Sequence, residues 1–177
     1  PADVNGMRLR AAQSPAVVGF LKELDADVVF LSMSDVVPSL QTGMVDGGYG
    51  AITWHVGATR QDAPFFTLTW HAYETGLFLL NKNWWDGFSH EQREMMTTTF
   101  EGFEKQRLDV RVAQDGEIQR IIDEGDAVSE PTSAEQALWV AAGHRSHGSI
   151  LDELGGDAQM IYDRILEAKA QYRAAGG

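Results

Sequence analysis

Histidine pairs and carboxylate clusters are the first places to look for chemistry in this sequence. His144 and His147 stand at i and i+3 of a predicted helix, a spacing that can offer two imidazole nitrogens to one metal ion. A zinc site needs further ligands, and no third one lies near them, so solvation at a helix end accounts for the pair. Glu23, Asp25 and Asp27 cluster on a predicted helix-to-strand turn, where carboxylates are ordinarily hydrated. They nominate no acid–base pair. The sequence has no Gly-x-Ser-x-Gly elbow and no Gly-x-x-x-x-Gly-Lys phosphate loop. Gly47-Gly48-Tyr49-Gly50 lacks the dinucleotide fingerprint and its downstream acidic residue. With no cysteine, disulfides, zinc ribbons and thiol catalysis are excluded, although neither cellular compartment is.

The elements that would position any site alternate. Met7 to Ala12 reads as a short strand, and Ser14 with Pro15 forms a helix start in which the proline lacks only an N–H that would be orphaned anyway. Val18, Leu21 and Leu24 give that helix an apolar stripe. The continuous run Asp27 to Leu31 is typical of a strand covered on both faces. Ser34 is expected to cap a second short helix, which Gly43 stops in the left-handed region. Phe65 to Trp70 and Gly76 to Leu80 read as two further strands. Ser89 to Gln92 matches a capping box at the start of a long helix. Met96, Phe100, Phe103 and Val110 line that helix, Asp115-Gly116 weakens its middle, and Gly125 ends it. A short extended piece at Val128 precedes helices over roughly 133–145 and 157–172, and the glycine tail should fray. Strands interleaved with helices indicate an α/β layered sheet.

A chain of 177 residues, 44% apolar, can bury a real core. The net charge of -12 opposes nucleic-acid binding, which needs a basic footprint, and docking on anionic lipid. No apolar run reaches the roughly 18 residues of a membrane-spanning helix. Pro1 to Asn5 carries no basic-then-apolar export pattern, so a signal peptide of an exported protein would lie upstream.

Four segments in order are more specific than any of this. They are Met7-Arg8-Leu9-Arg10, Ser14-Pro15, the stretch from Ser34-Asp35-Val36-Val37-Pro38 through Leu40-Gln41-Thr42-Gly43-Met44-Val45-Asp46-Gly47, and Leu77-Phe78-Leu79-Leu80-Asn81-Lys82-Asn83-Trp84-Trp85. Together they make the chain resemble the extracytoplasmic solute-binding subunits of TRAP transporters, the DctP-type family, over a full member's C-terminal portion. The resemblance implies an α/β, periplasmic-binding-protein-like two-lobe fold, here lacking most of the first lobe, with a long lobe-spanning helix. Residues 1–75 and 116–177 would form the second lobe, and 76–115 would return to the first. It also implies a periplasmic binder without catalysis, cofactor or metal, which captures a small-molecule carboxylate and delivers it to membrane permease subunits.

By resemblance, Arg10 takes the position of the carboxylate clamp. A guanidinium fork matches two carboxylate oxygens and stays charged when desolvated. The alternative is an ordinary strand-end arginine, like Arg8. Where the family often places an amide or acidic residue after Asp46, this chain has Gly48-Tyr49-Gly50. That departure disfavours sialic-acid-like and dicarboxylate-like ligands and removes a carboxylate for a metal ion. Tyr49 and Trp54 would wall a cleft to which Gly50 gives space, fitting an aromatic or apolar acid, or would simply pack in the core. Trp70 and His71 fall where the chain should cross between lobes and are candidate ligand residues; His71 would donate to a ligand oxygen and titrate near neutrality, or be merely solvated. Asp46 would fix its loop, and Trp84 and Trp85 would anchor a turn. A second reading is a split module whose exposed apolar surface serves self-association or a partner half.

Overall fold

The computed structural model describes residues 1–72, 78–105 and 107–175, with the side chains of 104–111 excepted. The chain divides into two compact units, Pro1–Tyr49 with Pro131–Gly177, and Gly50–Glu130.

The first unit is built on a three-stranded parallel sheet in the order β2-β1-β3, comprising β1 (Arg8–Ala11), β2 (Asp27–Phe30) and β3 (Gly47–Gly48). Helix α1 (Pro15–Lys22) begins where Ser14 is extended and Pro15 occupies the first turn. Its Phe20 and Leu21 join Leu9, Ala11, Leu24 and Ala142 in the buried core, with Val17, Val28 and Trp139 packed around them. That burial is what makes α1 and β1 stable, since eight residues of isolated helix are marginal in water. Asp25 turns the chain into β2 with φ 55°, a left-handed conformation that a short polar side chain tolerates. Glu23 pairs with Arg145 at 3.1 Å. Helix α2 (Val36–Gln41) follows a 3-10 turn, Met33–Asp35. Ser34 therefore does not cap α2: it lies inside that turn, and its hydroxyl is 2.7 Å from Ser32 Oγ. Gly43 stops α2 with φ 67°, as expected. The unit is completed by α7 (Ser133–Leu154) and α8 (Ala158–Ala174). Helix α7 outruns its sequence-expected end at Arg145, because a Thr132–Glu135 capping box starts it and its inner face packs on α1.

The second unit holds α3 (Ile52–Trp54) continued by a π-helical turn (His55–Thr59), β4 (Phe65–Thr67), α4 (Lys82–Asp86), α5 (His90–Lys105), α6 (Arg107–Asp123) and β5 (Ala127–Ser129). Strands β4 and β5 pair in parallel, with Phe66 opposite Val128. Ile52, His55, Thr59, Leu68 and Ile121 are buried. Arg60 grips Asp126 through Nε and Nη2, at 2.5 and 3.0 Å, and reaches Glu124 through Nη1. These pairs lower the pKa of both carboxyl groups, chiefly by hydrogen bonding from the guanidinium.

Several expectations shift here. The strand expected over Phe65 to Trp70 stops at Thr67, since its partner β5 stops at Ser129 and Trp70 turns to φ 47°. Of the strand expected over 76–80, Gly76 and Leu77 lie outside the described residues, and Phe78 to Leu80 have no ladder partner among those described. Phe78 stacks instead on Phe100 and Phe103, with ring centroids 4.6 and 5.6 Å apart. The Ser89–Gln92 box forms in both directions, at 2.9 and 3.2 Å. Asp115-Gly116 sits within α6 and does not interrupt it. Val110 falls among the side chains outside the description, as does the tail at 176–177.

Candidate functional site

Arg10 lies one residue before the carboxyl end of β1, the central strand, with Val29 of β2 on one side and Gly48 of β3 on the other. The chain leaves β1 for one neighbour and later crosses to the opposite one, so β1 and β3 flank a point where the strand order reverses. In open parallel sheets such points, at the carboxyl ends of the strands, are where ligands bind. Burial separates the two arginines of the strand. Arg10 is 7% exposed, whereas Arg8 is exposed and forked onto Asp46 at 2.5 and 3.0 Å. Asp46 also accepts from the Arg8 backbone N–H at 2.9 Å, so it fixes the loop entering β3.

The contacts of the Arg10 guanidinium include the segment after β2. Nε and Nη2 donate to the Leu31 carbonyl at 3.2 and 3.0 Å, and Nη2 lies 3.5 Å from Met33 Sδ. The Arg10 carbonyl accepts from Tyr49 N–H at 3.3 Å, which ties the half-buried Tyr49 to the same strand end. Gly48 places no side chain beside Arg10; a methyl there would stand 3.5 Å from Arg10 Cβ. Arg10, Gly48 and Tyr49 are thus brought together at one edge of the first unit. Leu31 and Met33 were missed in the sequence, because a backbone carbonyl has no residue signature and a methionine reads as packing.

Gly50, Trp54, Trp70 and His71 belong to the second unit. Trp54 lies against Gly50 and is half-buried. Trp70 is 54% exposed and holds φ 47°, an outlying conformation for a bulky side chain that costs on the order of 1–3 kcal/mol. His71 Nδ1 is 2.5 Å from Thr69 Oγ1. Burial pushes the His71 pKa down to about 4, so the ring is neutral at physiological pH. The expectation of titration near neutrality is corrected accordingly: the desolvated imidazole disfavours its charged form.

His144 and His147 lie inside α7, not at the helix end expected for them. Their rings stack at 5.5 Å, and His147 Nδ1 is 2.7 Å from Tyr162 Oη. No group of three metal-ligating side chains occurs among the described residues. A cleft of about 590 Å³ at the π-helical turn is lined by Arg60, Gln61, Asp62 and Asp126, among others. It holds none of the expected ligand residues, and its arginine is engaged by two carboxylates. No described helix is long and apolar enough to cross a membrane.

Residues 1–153 match the family described as bacterial extracellular solute-binding protein, family 7, DctP. The chain belongs to this family. Members of the family are extracellular solute-binding proteins. Among its relatives is the 2,3-diketo-L-gulonate-binding periplasmic protein YiaO of Escherichia coli, 31% identical over 125 residues, covering 70% of this chain and 37% of YiaO. The periplasmic ectoine-binding protein of the TeaABC TRAP transporter of Halomonas elongata superposes with a TM-score of 0.83 at 19% identity, covering 91% of this chain and 53% of that one. A TRAP periplasmic solute-binding protein from Anaerococcus prevotii, solved with bound glucuronate, gives a TM-score of 0.81 at 22% identity, covering 96% and 55%. At these identities the structural likeness is one of fold: α/β, of the two-lobe periplasmic-binding type. The DctP-family chain spans about half the length of these solved relatives.

Proposed function

We propose that this chain serves as a solute-binding component of a TRAP-type transporter. It captures a small organic acid in the periplasm and delivers it to membrane permease subunits. Arg10 is the carboxylate clamp. The observation that carries this reading is an arginine, 7% exposed, near the carboxyl end of the central strand, whose Nε and Nη2 donate to the Leu31 carbonyl. A planar guanidinium at a strand end suits a carboxylate, whose two oxygens match its fork. Relatives named for 2,3-diketo-L-gulonate and solved with glucuronate handle ligands that carry such a group.

Tyr49, Gly50, Trp54, Trp70 and His71 are proposed as further ligand residues. The aromatic ones favour an acid with an apolar or aromatic face over a fully polar dicarboxylate. In lobe terms, 1–75 and 116–177 are proposed to belong together, with 76–115 returning to the other lobe.

The test is ligand-induced thermal stabilisation across a panel of monocarboxylates, uronates and dicarboxylates. At least one acid should raise the melting temperature of the parent and leave Arg10→Ala unmoved. Equal stabilisation of both proteins by the same acid would exclude Arg10 as the clamp.

A further inference from the structure

The segment Thr69-Trp70-His71 combines three features that ordinary packing does not require together. Trp70 holds a left-handed backbone, φ 47°, which a large side chain rarely adopts. Trp70 is nevertheless 54% exposed, so about half of its surface stays open to solvent. Its two neighbours are bridged across it, with Thr69 Oγ1 and His71 Nδ1 2.5 Å apart.

The base of the segment is rigid. Leu68 is 5% exposed and donates its N–H to the Ser129 carbonyl at 2.8 Å, continuing the β4–β5 ladder by one bond. Thr69 N–H then turns back to the Thr67 carbonyl at 3.0 Å. A strained residue persists only where its surroundings over-determine it, and such residues gather at ligand clamps. The contacts around Trp70 include the ladder before it and the hydroxyl–imidazole bridge between its neighbours.

We propose that Thr69 is a positioning residue: through His71 it holds Trp70 in its strained conformation, so that the exposed indole face stacks on the apolar face of a ring-shaped organic acid. The substrate class rests on the solute-binding reading above; the positioning role does not. An indole offers a large, rigid surface at low cost in side-chain freedom, and its π face suits the C–H face of a sugar acid or an aromatic ring. A linear dicarboxylate has no such face to present.

The positioning role is read without ligand, on the full chain carrying 5-fluorotryptophan. Its five tryptophans supply five fluorine resonances, and Trp70→Phe assigns the one of interest. Thr69→Val keeps the shape but deletes the hydroxyl. It should shift or broaden the Trp70 signal while the other four stay in place, and Thr69→Ser should restore it. An unmoved Trp70 signal in Thr69→Val overturns the proposal. As a second measurement, Trp70→Gly should melt at or above the parent temperature, because glycine adopts positive φ without a steric penalty. A drop of several degrees would mean that Trp70 is ordinary packing.

The substrate class is read by thermal-shift titration with D-glucuronate, benzoate and succinate. Trp70→Gly should weaken the apparent affinity for the ring acids at least tenfold, and Thr69→Val should weaken it severalfold. Any succinate response should stay within twofold. Equal losses for ring and linear acids overturn the stacking role. If no acid stabilises the parent while the fluorine coupling is intact, the carboxylate reading and the substrate class fall together and the positioning role of Thr69 stands.

Discussion

The indole of Trp54 lies on the backbone of Gly50 so closely that a methyl at Gly50 would stand 2.7 Å from Cε3 and 3.2 Å from Cζ3. Gly50→Ala should therefore push the ring away. Trp54 is only half-buried and can swing. The loss in stability should thus stay below the roughly 1–3 kcal/mol of an overpacked core. The expected result is an altered tryptophan emission with a small change in melting temperature. An emission spectrum superimposable on the parent's would show that the ring does not rest on Gly50.

Gly19 makes the corresponding contact in the first unit. A methyl there would meet Ile150 Cγ1 at 2.7 Å and Cδ1 at 3.3 Å, where α1 crosses α7. Ile150 is half-buried, so relieving the contact takes a change of its rotamer or a small shift of the helices. Gly19→Ala should destabilise the fold by about 1–3 kcal/mol in urea unfolding, and adding Ile150→Val should recover part of the loss. A Gly19→Ala that stabilises by the roughly 1 kcal/mol of an unhindered helix position would mean that the two helices are not in close contact.

Acid should weaken the fold before its carboxylates titrate. His55, His71 and His147 all have depressed pKa values, each first by desolvation and His71 to about 4. The unfolded chain binds those protons near pH 6.5, so between about 6.5 and 4 it holds more protons than the folded one. Stability therefore rises with pH across that window and is lost as pH falls through it. One such histidine contributes a slope of at most about 1.4 kcal/mol per pH unit. Urea midpoints measured from pH 7 to pH 4 should fall, and His71→Gln should flatten the fall. An unchanged slope in His71→Gln would place His71 in water.

Much of this was legible in the sequence, for identifiable reasons. Pro15, Gly43, Gly125 and the Ser89–Gln92 box are local devices that depend on a few adjacent residues, and each appears where its chemistry places it, whereas Ser14 takes the N-cap position without a side-chain capping bond. Ser34 misled because a competing hydroxyl, Ser32, lies two residues away and takes it into a 3-10 turn. The strand after Phe65 was read too long because its end is set by β5, more than 60 residues on, which no local pattern reveals. At the site, residue type and family likeness singled out Arg10, but its separation from Arg8 is a matter of depth along one strand. The Leu31 carbonyl that orients it is backbone, which sequence does not label. The strain at Trp70 was equally invisible, since φ is set by the bridge between its neighbours.

Calorimetric titration of the most stabilising acid into the parent, Arg10→Ala and Arg10→Lys addresses the clamp most directly. Loss of a buried charge partner costs on the order of 2–5 kcal/mol, so Arg10→Ala should bind roughly 30- to 5,000-fold more weakly. Arg10→Lys should recover little, because an ammonium cannot reproduce the planar fork. Affinities within threefold of the parent in both variants would contradict a carboxylate gripped by Arg10.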